Sequence, residues 1–98
     1  MGYVYVIRSG NTSFRKIGIT NGNILDRLSQ LQTGNPMELI LEYELETKLI
    51  LAIEQLIHSS LSEYHLRGEW FDIPLESILN KIDILQSFLL NEDLALEL

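Results

Sequence analysis

The sequence predicts an α+β fold: a small three-stranded sheet, mixed or antiparallel, flanked by about three helices. Three observations predict it. Tyr3–Ile7 and Lys16–Thr20 are rich in β-branched and aromatic residues and flank the turn-rich run Ser9-Gly10-Asn11-Thr12-Ser13. Residues 38–46 alternate acidic and apolar side chains with period two. Three further segments carry apolar residues at helical spacing.

The elements follow in order. The first two strands, about Gly2–Arg8 and Phe14–Thr20, form a hairpin. Asn23 is placed as N-cap, with Asp26 three residues on, for a helix over Ile24–Gln32. Ile24, Leu28 and Leu31 share its buried stripe, while Arg27 and Gln30 fall off it. Gly34 and Pro36 end that helix. The third strand spans about Glu38–Glu46. Leu39, Leu41, Tyr43 and Leu45 face the core, the intervening glutamates face water, and Ile40 is out of phase. Thr47 is expected to cap a second helix reaching about Tyr64, on which Glu54 and His58 project from one side. Gly68 breaks that helix, and Trp70 and Phe71 return apolar area to the core. Pro74 opens a third helix running to about Leu90.

The 98 residues suit one domain, residues 1–90, with 91–98 as a tail or helix extension. The leucines of that tail and of the third helix offer a surface for a homodimer. The hydrophobic share of 46% supports a real core. There is no cysteine, which excludes disulfides, thiolate metal sites and cysteine nucleophiles. The N-terminus lacks a signal-peptide layout, and no apolar run is long enough to span a bilayer. A cytoplasmic protein without membrane contact is the expectation.

The net charge is −7, unevenly placed. Residues 1–36 carry four basic side chains against one acid, and residues 37–98 carry three against thirteen. A uniformly basic nucleic-acid surface is excluded, and a local basic site on the hairpin and first helix remains.

The residues that carry chemistry come in a fixed order: Tyr3-Val4-Tyr5, then Lys16-Ile17-Gly18, then Arg27-Leu28 followed by Leu31-Gln32-Thr33-Gly34-Asn35-Pro36. Ala52-Ile53-Glu54 with His58 comes next, and Gly68-Glu69-Trp70-Phe71 last. Over residues 2 to about 73 this set resembles the GIY-YIG nuclease superfamily, closest to its compact Meiotically up-regulated gene 113-like branch, common among phage proteins. The resemblance implies phosphodiester hydrolysis of DNA with one divalent cation, Mg²⁺ or Mn²⁺. It implies that Tyr5 helps deprotonate the attacking water, that Arg27 stabilises charge on the scissile phosphate, and that Glu54 is the metal ligand. Lys16 stands where the superfamily has a tyrosine and would hold a phosphate as a point charge. Tyr3 replaces a glycine. Leu31 stands where an acid–base side chain is common, and His58, one turn after Glu54, is the candidate to replace it. His58 and His65 are seven apart and lack a third zinc ligand. Glu69 reads as a cap or a partner for Arg67, and Trp70 as core.

Three functions stay open on these residues: a small metal-dependent endonuclease; a degenerate module of the same fold that binds nucleic acid, nucleotide or a protein partner; and a leucine-rich interaction protein.

Overall fold

A computed structural model gives the fold, describing residues 2–97, with side-chain surroundings for residues 2–89. The order is β1 (Gly2–Ser9), β2 (Phe14–Thr20), α1 (Ile24–Gln32), β3 (Leu39–Thr47), α2 (Ile50–Ser60), β4 (His65–Arg67), β5 (Trp70–Asp72) and α3 (Leu75–Glu97). A 3₁₀ turn at Ser62–Tyr64 joins α2 to β4.

The sheet has five strands, not the expected three, in the order β3-β1-β2-β5-β4. All its pairings are antiparallel. The extra strands are a hairpin of two three-residue pieces, too short to show a period of their own. Its tight turn uses Gly68 at φ 55°. β5 then pairs with β2, matching Lys16 to Trp70 and Arg15 to Phe71.

Helix bounds need smaller corrections. Asn23 caps α1 as expected, its side chain accepting from the Asp26 N–H at 3.0 Å. Thr47 belongs instead to the end of β3, where its hydroxyl accepts from the Leu49 N–H, and Leu49 occupies the N-cap of α2. α2 stops at Ser60 rather than Tyr64, and α3 runs on past Leu90 to Glu97, the helix extension that is one of the two expectations for residues 91–98. The association surface expected from Leu94, Leu96 and Leu98 lies outside the residues whose side chains are described.

The sheet is covered on both faces. Val4, Val6 and Ile17 pack under α2 and α3, against Ile53, Ile57, Ile78 and Ile82. Tyr5 and Ile7, the alternate residues of β1, pack under α1 with Ile24, Leu28, Leu31 and Leu39. β3 joins both faces because its register shifts at Glu42. Val6 opposes Tyr43, yet Ile7 opposes Leu41. The extra residue flips the parity of the strand. Tyr43 and Leu45 therefore go to the α2–α3 face, and Leu39 and Leu41 to the α1 face. The expected single buried face of β3 is thus replaced by two half-strands that serve opposite faces.

Glu42 itself leaves the wet acidic row. It accepts from Arg8 Nε at 3.0 Å and from Arg15 Nε at 2.7 Å, and the three side chains are only 13–24% exposed. Two basic residues of the N-terminal segment are thereby committed to structure.

Candidate functional site

The site is built on β2. Opposite Tyr5 in the register stands Gly18, and a Cβ there would lie 2.5 Å from the Tyr5 hydroxyl oxygen. A glycine inside a strand often marks such a close approach. Tyr5 lies across it, 1% exposed, with Leu31 in the surrounding cluster. Its hydroxyl oxygen accepts from Arg27 Nε at 3.4 Å. α1 supplies Arg27 from the flank of its buried stripe, and Gln30 accepts from Nη1 of the same guanidinium at 3.5 Å. The hydrogen bond to Tyr5 raises the Arg27 pKa above its ordinary value, so it stays a cation.

Lys16 points to the same face of β2, two residues before Gly18. Its Nζ pairs with Glu69 Oε2 at 3.0 Å and lies 5.9 Å from the centre of the Trp70 ring. The Lys16 side chain is 13% exposed and that of Glu69 38%.

Glu54 comes from α2. Its Oε2 is buried and accepts no hydrogen bond. Burial raises its pKa above the usual carboxylate range, the charge of Glu69 raises it further, and His58 and Lys16 pull it back. Glu69 also acts on Arg27. The Tyr5–Arg27 pair and the Lys16–Glu54 group therefore lie within the electrostatic reach of one carboxylate.

His58 is placed differently from its neighbours. Its Nε2 lies 2.8 Å from the Ile17 carbonyl oxygen, which requires the proton on Nε2, and the ring sits edge-on to Phe71 at 4.9 Å. It ties α2 to β2 and leaves only Nδ1 for chemistry. His65 uses its Nε2 on the Gly68 carbonyl at 2.7 Å. Among the described residues no three His, Asp or Glu side chains gather as an all-protein metal cage.

Glu69 has a different partner from the one its sequence position suggests. It pairs with Lys16, not Arg67, because the β4–β5 turn delivers it beside β2, where its carbonyl also accepts the Ile17 N–H at 3.1 Å. The only local signal was a Gly-Glu pair between two short apolar pieces.

Residues 2–86 match the T5orf172 domain. The chain belongs to the T5orf172 domain family. These are phage-associated, nuclease-like domains. No curated protein and no solved structure matches the chain. Among the described residues of this T5orf172 domain, no helix is long and apolar enough to cross a membrane.

The donor set of the domain fits a hard divalent cation. Glu54 offers a buried carboxylate oxygen with no protein partner, and a lone carboxylate completed by water and substrate oxygens is a normal Mg²⁺ arrangement.

Proposed function

We propose that this T5orf172 domain is a metal-dependent endonuclease that hydrolyses DNA phosphodiester bonds through a GIY-YIG-type site. The observation that carries the reading is the buried, unpartnered Glu54 oxygen, on a carboxylate that feels the charges of Lys16 and Glu69. A buried carboxylate without a donor is costly unless something cationic completes it.

Glu54 would hold one Mg²⁺ or Mn²⁺. When bound, such an ion polarises a phosphoryl oxygen and lowers the pKa of water. Arg27 neutralises the charge that grows on the phosphate, and its fork fits two oxygens. The Tyr5 hydroxyl oxygen, which accepts from Arg27, would take a proton from the attacking water as the phenol passes its own to solvent. Lys16 exchanges Glu69 for a phosphate oxygen when substrate arrives. Ile17 and His58 hold β2 and α2 together beneath these groups.

A binding module that no longer turns over is the second reading. It is favoured by the burial of Tyr5 at 1% exposure. One experiment separates them: plasmid and branched DNA incubated with Mg²⁺ or Mn²⁺, using the native chain and Glu54→Ala. Cleavage by the native chain, reduced about 10²–10³-fold or more in the folded variant, supports the enzyme. Absence of cleavage on every DNA, with divalent-dependent binding intact, supports the module.

A further inference from the structure

Beside the Lys16–Glu69 pair, on the α1 face of the sheet, lies a shallow groove of about 300 Å³ lined by Ser9, Phe14, Asn35, Leu66, Arg67 and Trp70. None of the roles proposed above uses it. Phe14 is 42% exposed and Leu66 48%, so two large apolar side chains stand open to solvent there. Arg67 is exposed and, among the described residues, makes no ion pair. The other three arginines all bond to protein: Arg8 and Arg15 to Glu42, Arg27 to Tyr5 and Gln30. The Asn35 Oδ1 accepts the Met37 N–H at 3.0 Å, which leaves its Nδ2 as the group free to donate.

We infer that this groove takes an unpaired nucleobase, so the domain acts on nucleic acid with a single-stranded segment next to the scissile phosphate. This rests on the nucleic-acid reading of the site above. Three features argue it together. Trp70 belongs to both places, lining the groove and lying beneath the Lys16 ammonium. A base stacked on Trp70 therefore carries its phosphate toward Lys16. Phe14 and Trp70 are flat apolar surfaces that suit any base, since stacking is tolerant of sequence. Arg67 supplies the charge that a strand entering the groove needs, and the Asn35 amide a donor for a base edge. A paired base is already stacked on both sides and does not enter a groove of this kind without being flipped out.

Trp70 is the only tryptophan, so its fluorescence reads the groove directly. The full chain is titrated with single-stranded DNA, with the matching RNA, with blunt duplex, and with an abasic oligomer that keeps the phosphates and lacks the bases. Magnesium is replaced by Ca²⁺ to hold cleavage down. The expected result is saturable quenching by the single strands, with abasic oligomer and duplex at least tenfold weaker. Phe14→Ala and Arg67→Ala each weaken single-strand binding about tenfold with unchanged circular dichroism, and Phe14→Ala removes the difference between normal and abasic oligomers. Equal binding of abasic and normal strands, tighter binding of duplex, or binding without a change in Trp70 emission overturns the proposal. Cleavage assays are read apart from this. Base-dependent binding without cleavage keeps the groove and rejects the hydrolase, and cleavage with no base dependence keeps the hydrolase and rejects the groove.

Discussion

Glu54 is an ionisable side chain whose burial works against its own charge. Its folded pKa lies above the ordinary carboxylate value. Between the two values the folded chain holds a proton that the unfolded chain has released, so stability falls as pH rises through that window. The loss is complete above the folded pKa. Glu54→Gln is therefore expected to melt higher than the native chain at neutral pH in a chelator, with the gap closing below the ordinary carboxylate range. Added Mg²⁺ or Mn²⁺ should reverse the order, by about 2.7 kcal/mol at a hundredfold excess over Kd, because only the native carboxylate gains from it. Thermal melts across pH, with and without metal, check both signs. At Gly18 the limit is steric. Alanine there meets the Tyr5 hydroxyl and ring at 2.5–2.9 Å, and neither the strand nor the packed phenol yields freely. Gly18→Ala should lose about 1–3 kcal/mol, read from a denaturant midpoint, and release the Tyr5–Arg27 contact.

Glu42 decides the outcome for a whole strand. It is the extra residue that sends Leu39 and Leu41 to one core and Tyr43 and Leu45 to the other. Deleting it should move one pair of apolar residues to the wrong face, and the expected result is loss of cooperative unfolding. Glu42→Ala keeps the count and removes only the partner of two partly buried arginines, with an expected loss of about 1–3 kcal/mol. The comparison of the two variants in urea separates register from charge. This is also where the sequence was hardest to read. β1, β2 and α1 were legible because their signals are local: alternation, a turn-rich loop, an Asn cap and a Gly-Pro stop. The break at Glu42 left no mark in the sequence, where Leu39, Leu41, Tyr43 and Leu45 alternate straight across it; it arises in the pairing with β1. β4 and β5 were hidden by length, and the partner of Glu69 could be found only once β5 was known to lie beside β2.

Over the whole molecule, charge would set how a nucleic-acid substrate of the proposed activity is met. The net charge is −7, and Arg8 and Arg15 are bound up with Glu42. In the proposed complex Lys16, Arg27 and Arg67 would be the cations that meet a strand. Three phosphate contacts on a single strand predict a log–log salt slope of about −2. A slope several times steeper would mean that contacts elsewhere carry the binding, and a filter or anisotropy titration from low to moderate salt measures it. Such binding is weak by comparison with a basic nucleic-acid protein, and the acidic remainder repels any strand not seated in the site.

The three-residue strands of the β4–β5 hairpin give the molecule an uneven opening landscape. Glu69, which holds Lys16, and Trp70 both ride on this short piece, pinned to β2 by backbone bonds that span only residues 13–17. Local unfolding free energy follows the number of bonds that break together. Amide hydrogens of residues 70–72 should therefore exchange sooner than those of β1, whose ladders to β2 and β3 are each at least six residue pairs long, against three and two for β5. Release of Glu69 alone would uncover Lys16, while Phe71, 1% exposed in the core under α2 and α3, keeps β5 anchored. Glu69 then behaves as a latch whose closed fraction sets the apparent affinity for anything that competes with it.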